Sequence, residues 1–404
     1  MTDLRTRWLG FDLQCPIVMA GSPMSLDADA VARAVDAGVG AVVLPSLFEI
    51  PQSTAPRHDT ESPPSGTFLD ERGPFLRQLE RLRKRFSVPI VASLNATSPF
   101  IWAGIAKDLE GAGASAIELN LYEVASSVER DAASIEHRQL DVARAVVDAV
   151  KLPVNAKLSM FYTSVPAFTA ALMSVGIAGV SLFNRFYQPD INLETMDVDR
   201  RLHLSTSLEL PPRLHALAAL WRPSVDGTPP LWLACTGGVH TGEDAAKSIV
   251  CGAHVVMMAS ALLREGPEHV GVVRRGLAHW LDAKGYTSVD EARGLLSLHK
   301  VKDPDVWTRL NYVRQLGSWE PRAADDVGRQ VTDVTRRTPT GAPHRTAPSA
   351  NSSAPADERV DNSTTKLSNS SYYSNTWRCD KCLNSPTWAK PVAVNSGSGT
   401  PSWR

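Results

Sequence analysis

Short, continuous apolar runs alternate along the first three quarters of the chain with longer stretches that are apolar on one face only. Ile17–Ala20, Ala41–Leu44, Pro89–Leu94, Ala116–Asn120, Pro153–Leu158, Gly179–Phe183, Leu231–Cys235 and His254–Met258 are the apolar runs. Their length and the absence of polar alternation predict parallel strands covered on both faces. Helical patterns follow at about Asp27–Ala37, Pro74–Phe86, Pro99–Gly111, His137–Val150, Val165–Val175, Pro212–Trp221, Thr241–Cys251 and His269–Lys284. In the last of these Val270, Val273, Leu277, Trp280 and Leu281 share one face. Eight strand–helix pairs are the count of a (β/α)8 TIM barrel, an α/β fold. Periodicity alone also allows a doubly wound open sheet, which usually carries its phosphate loop after the first strand.

The last two strands stop at small residues, Gly237-Gly238 and Ala259-Ser260, each just ahead of a helix. Such turns present backbone N–H groups to an anion, and in barrels the loops after strands seven and eight are the usual phosphate site. A lone Gly pair is otherwise a plain tight turn. Two turns in register on consecutive units favour a phosphate-bearing ligand.

Two loops, Phe48 to Gly73 and Asn184 to Pro211, are long and follow strand C-termini, where they can cover a substrate or stand as solvated insertions. Beyond about Glu320 the chain turns rich in Ser, Thr, Pro and Asn and loses its periodicity. The expected organisation is therefore a barrel over 1–320 and a disordered C-terminal tail over 321–404. Cys379-Asp-Lys-Cys382 in that tail lacks the second ligand pair of a zinc site. Asn-x-Ser/Thr triplets and Trp377, Trp388 and Trp403 in the same segment identify no partner.

Bulk composition narrows the function classes. The chain has 404 residues, a formal net charge of −1 and five scattered cysteines. Near-neutrality gives no general attraction to nucleic acid or anionic membrane. No apolar run approaches the roughly 20 residues that span a bilayer, and no secretory signal follows Met1. Cys15, Cys235 and Cys251 lie in or beside apolar runs and read as reduced thiols of a cytoplasmic protein.

From about Leu9 to Ser297 the chain resembles the dihydroorotate dehydrogenase family, particularly its class 1 branch. The resemblance rests on Thr236-Gly-Gly-Val-His-Thr-Gly-Glu-Asp-Ala245, Cys251-Gly-Ala253, Ala261-Leu-Leu-Arg-Glu-Gly-Pro267 and Lys284-Gly-Tyr286, in order. Cys15-Pro16 with Met19-Ala20-Gly21, Glu118-Leu-Asn-Leu121 and Asn155-Ala-Lys-Leu158 add to it. It implies an FMN-containing barrel, a small-molecule substrate with a pyrimidine-like ring, and a homodimer. In that family hydride passes from the substrate ring to the flavin while a loop base removes the neighbouring proton.

Residue by residue, the resemblance implies that Ala20 and Gly21 let the backbone approach the flavin ring. Ser46 stands near the flavin, and Gly237, Gly238, Ala259 and Ser260 hold the FMN phosphate. Lys157 lies beside the flavin pyrimidine edge, where a fixed positive charge stabilises the reduced anion. The plainer reading of Lys157 is a barrel lysine paired with Glu118. Asn95, Asn120 and Asn184 match asparagines that bind substrate in relatives. An amide can pair with both the N–H and C=O groups of a ring, although a single strand-end Asn is as often a loop cap.

The chain departs from the family at the chemical centre. Asn120-Leu-Tyr-Glu-Val-Ala125 stands where relatives carry a Cys or Ser base, which puts Glu123 at the base position. Glu123 is either that base or a solvated loop acid, with Tyr122 and Ser126 as substitutes. Leu44-Pro-Ser46 replaces a family lysine with Pro45, and Ser205-Thr-Ser-Leu-Glu209 replaces a Gly-rich stretch. The leading expectation is an oxidoreductase oxidising dihydroorotate or a similar dihydropyrimidine. The alternatives are a flavin paralogue with another substrate and a non-catalytic phosphate-binding barrel.

Overall fold

A computed structural model of the chain describes residues 2–48, 72–95, 98–199, 201–224 and 230–319. The chain opens with an antiparallel hairpin, β1 (Thr6–Trp8) and β2 (Phe11–Leu13). Its two-residue turn has positive φ at both Leu9 and Gly10, the form that matches strand twist. Eight parallel strands then follow: β3 (Ile17–Met19), β4 (Ala41–Phe48), β5 (Ile90–Asn95), β6 (Ala116–Leu121), β7 (Val154–Leu158), β8 (Gly179–Leu182), β11 (Trp232–Thr236) and β12 (Val255–Met258). They close in the order β11-β12-β3-β4-β5-β6-β7-β8. The eight apolar runs are these eight strands, and closure excludes the open sheet.

Helices α1 (Ala28–Asp36), α2 (Arg72–Arg85), α3 (Pro99–Gly111), α4 (Ala132–Val147), α5 (Val165–Ser174), α6 (Pro211–Leu220), α7 (Gly242–Val250), α8 (Ser260–Glu265) and α9 (His269–Lys284) surround the barrel. Side-chain caps fix several starts: Asp27, Ser98, Asp131, Ser164 and Thr241 each accept a backbone N–H from the first turn. Asp131 explains why α4 begins ahead of the expected His137. The first turn is mostly exposed, and the buried face starts only at Gln139.

Alternate strand residues serve two cores. Val18, Ala20, Ala41, Val43, Val91, Ala116, Ala234, Val255 and Met257 pack inside the barrel with Trp8, Leu9 and Leu13 of the hairpin. Ile17, Met19, Val42, Leu44 and their counterparts face the helices. Burial on both faces is why the strands read as continuous apolar runs. Pro45 sits where the β4–β5 register shifts between Val43 and Ser46, an irregularity that accommodates a residue without an N–H.

Several elements carry no sequence signal. The long connection after β8 contains an exposed hairpin, β9 (Asp190–Asn192) with β10 (Asp197–Asp199), whose residues are mostly polar. The short α10 (Val289–Ala292) and the exposed α11 (Pro304–Gly317) follow the barrel. The loop expected over Phe48 to Gly73 falls mostly outside the described residues, as do the 321–404 segment and its Cys379 and Cys382. Among the described residues no helix is long and apolar enough to cross a membrane.

Candidate active site

A cleft opens over the C-terminal ends of β3, β7, β8, β11 and β12. Ala20, Gly21, Lys157, Asn184, Gly237, Gly238, Ala259 and Ser260 all line it. They arrive from five strands distributed along the chain, so only barrel closure brings them together. Phe183, Met257, Leu202 and Leu204 supply apolar wall between the polar ends.

Lys157 projects from β7 and is 13 % exposed, and its Nζ lies 3.5 Å from Glu118 Oε1. Glu118, buried inside the barrel, also accepts from Ser181 Oγ at 3.1 Å and Asn155 Nδ2 at 3.3 Å. Lys157 is thus paired with Glu118 and also faces the cleft. The pairing keeps the ammonium oriented while leaving its outer side available to a ligand.

The three asparagines form one connected group. Asn95 Nδ2 donates to the Asn120 carbonyl at 2.8 Å, Asn120 Nδ2 donates to Ser46 Oγ at 3.1 Å, and Asn184 Nδ2 donates to Asn120 Oδ1. Ser46 Oγ lies 2.8 Å from Ser93 Oγ. Ser46 thus joins the amide network and does not line the cleft with the glycines. Asn95 and Asn120 line an adjacent depression with Trp102, Tyr122, Glu123 and Arg130.

Glu123 stands in that depression, and its carboxylate is paired with both Arg130 and Arg138. Glu123 thereby links the loop after β6 to Arg138 on α4. Tyr122 Oη accepts from the Tyr187 N–H at 2.7 Å, which ties that loop to the one after β8.

Glycines at the site answer first to the protein's own packing. Gly21 could not carry a Cβ, which would stand 2.7 Å from the Leu44 carbonyl oxygen. This glycine is thus also required by the close approach of Leu44 in β4. Gly237 and Gly238 have φ of 84° and 80°, and a Cβ on Gly238 would meet Leu210 N at 2.7 Å. The Ser205–Glu209 stretch lies against these turns. Ser205 N donates to Ser260 Oγ at 3.1 Å, and Ser207 Oγ donates to Asp244 Oδ2 at 2.7 Å. Sequence reasoning missed Ser205, Arg185 and Arg213, which also line the cleft. A single Ser or Arg in a polar stretch carries no signal of its own.

The family described as dihydroorotate dehydrogenase matches residues 4–281. The chain belongs to the dihydroorotate dehydrogenase family. Members of this family are oxidoreductases acting on CH–CH bonds, and this chain is of that type. It is 26 % identical over 299 residues to the dihydroorotate dehydrogenase B (NAD+) catalytic subunit of Methanothermobacter thermautotrophicus, covering 72 % of this chain and 98 % of the relative. It is 28 % identical over 225 residues to the putative dihydroorotate dehydrogenase A (fumarate) of Aeropyrum pernix, covering 54 % and 71 %. It is 23 % identical over 353 residues to the NAD-dependent dihydropyrimidine dehydrogenase subunit PreA of Escherichia coli, covering 78 % and 83 %. Two of these relatives are named as subunits of larger enzymes. The cleft at the strand C-termini is where a barrel of this family carries its chemistry.

Proposed function

We propose that this chain, through its barrel over 1–320, is an FMN-dependent oxidoreductase that oxidises a CH–CH bond of a dihydropyrimidine, with dihydroorotate to orotate as the reference reaction. The observation that carries the reading is the convergence in one cleft of Lys157, Ala20, Asn184 and the two small-residue turns. The lining fits FMN: an apolar wall for a flat ring, a cation at one end, and Gly237-Gly238 with Ala259-Ser260 for a phosphate. FMN bound there supplies a two-electron acceptor.

The chain's own residues do the rest. Lys157, steadied by Glu118, presents positive charge where negative charge develops on reduction. Asn184 presents its amide in the cleft and is held through Asn120 to Asn95 in the adjacent depression, so a substrate ring meets a preorganised polar edge. A homodimer, which the resemblance implies, and a cytoplasmic location, which the reduced cysteines suggest, complete the proposal.

Pro45 and the ion-paired Glu123 favour a second reading, in which the same cofactor serves a different reduced ring. The experiment is to purify the protein, identify its flavin, and follow flavin bleaching against dihydroorotate, dihydrouracil and dihydrothymine. Bleaching by dihydroorotate supports the first reading, and bleaching only by another ring supports the second. A protein that holds no flavin contradicts both.

A further inference from the structure

Arg213 lies in the first turn of α6 and is 1 % exposed, yet no carboxylate bonds it. Its Nε donates to the Thr236 carbonyl at 2.5 Å, and Nη1 donates to the Glu209 carbonyl. Both acceptors are neutral. Nη2 has no hydrogen-bond partner among the described residues, and it stands 2.7 Å from where a Cβ on Gly237 would be. The guanidinium also lies over the Phe186 ring, 5.0 Å from its centroid.

Glu209 is the carboxylate nearest in the chain, but Arg185 Nη1 holds both its oxygens at 2.9 and 3.0 Å. Glu209 is thus engaged by Arg185, and Arg213 has no carboxylate partner of its own among the described residues. Arginine does not give up its proton in proteins, so the surplus positive charge persists. A buried charge without a counter-charge is costly unless something else supplies one. Arg213 lines the cleft with the Gly237–Gly238 turn, which places the surplus at the end where the sequence puts small-residue turns.

We propose that Arg213 is an anion-binding residue of the cleft. It engages the phosphate monoester of the bound cofactor through Nη2 and thereby selects a phosphorylated flavin over riboflavin. This rests on the flavin reading above and deepens it. The guanidinium is held in place by Thr236 and Glu209 before the ligand arrives, so its donor needs no rearrangement to meet a phosphate oxygen.

The test is fluorescence titration of flavin-free protein with FMN and with riboflavin, in wild type, Arg213→Met and Arg213→Lys. Wild type should prefer FMN, and Arg213→Met should lose about 10- to 100-fold in FMN affinity with riboflavin affinity unchanged. Arg213→Lys, which keeps the charge but not the fork, should retain part of the preference. Equal losses for both flavins in Arg213→Met would assign Arg213 a structural role and overturn the proposal. Should Arg213→Met not fold, an unchanged FMN-to-riboflavin ratio in Arg213→Lys would overturn it, as would a wild type that binds both flavins equally. A wild type that binds neither flavin would overturn the flavin reading itself, and this proposal with it.

Discussion

At the N-terminal end of the strands, Trp8, Leu9 and Leu13 of the hairpin pack against Val18, Val255 and Trp232. At the C-terminal end, Lys157, Asn184 and Arg213 face an open cleft. Each end also holds an arginine with little exposure, and the two are treated differently. Arg293, at the closed end, donates to the Ala253 carbonyl and Thr6 Oγ1 and is paired with Asp290. Arg213, at the open end, has only carbonyls. A charge that is answered within the chain serves stability, and one that is left unanswered beside a cleft is available to a ligand.

The largest expected effect comes from emptying the closed end. Trp8→Ala should cost about 3–5 kcal/mol of stability in urea unfolding, while the folded fraction keeps its flavin affinity. A loss under about 1 kcal/mol would show that the plug is dispensable. At the open end, Lys157→Met should slow substrate-driven flavin reduction by about 100-fold, or about 2.7 kcal/mol, with FMN content retained. The flavin's reduction potential should fall as well. An unchanged potential would remove Lys157 from the role.

The next effect depends on pH. His254 is buried against Trp232, with ring centroids 4.9 Å apart, and its Nδ1 accepts from the Leu233 N–H at 3.0 Å. Burial, with Arg293 adding, pushes its pKa from 6.5 down to about 3. Below pH 6.5 the unfolded chain takes up a proton that the folded chain refuses. The stability that neutral His254 contributes is thus fully present above that pH and is lost progressively toward pH 3. At pH 5 the loss is about 2 kcal/mol. His254→Asn, which keeps an acceptor near the Nδ1 position, should therefore lose less stability than wild type between pH 7 and pH 5. Equal losses would show that the histidine takes a proton in the fold.

The smallest effect is expected at Glu123. With its carboxylate on Arg130 and Arg138, Glu123→Gln should slow flavin reduction by less than about 10-fold, because general-base catalysis typically contributes about 100-fold or more. Stopped-flow reduction that slows by 100-fold would instead restore Glu123 as the base.

The barrel was legible because its strands are buried on both faces and so lie in the sequence as unbroken apolar runs, Val255–Met258 being typical. The closing hairpin was not, since strands of three residues are too short for a period to register. β9 and β10 escaped because both are mostly polar and lack apolar alternation. Strand-end residues such as Lys157 and Asn184 could be picked out because a polar group at the end of an apolar run is conspicuous. Arg213 could not, since Pro211-Pro212-Arg213 looks like any solvated helix start, and the partners that enclose it, among them Glu209, Thr236 and Phe186, are brought to it by the fold. The ion pairs of Glu123 were hidden for a similar reason. Arg138 is fifteen residues away on α4, and only the loop's path brings the two together.

Hydrogen–deuterium exchange with and without FMN tests the contrast between the two ends most directly. Added FMN should slow exchange at residues 20–21, 237–240 and 259–262, with no change in β1 and β2. Protection confined to the hairpin, or absent from both small-residue turns, would contradict a phosphate-bearing flavin in this cleft.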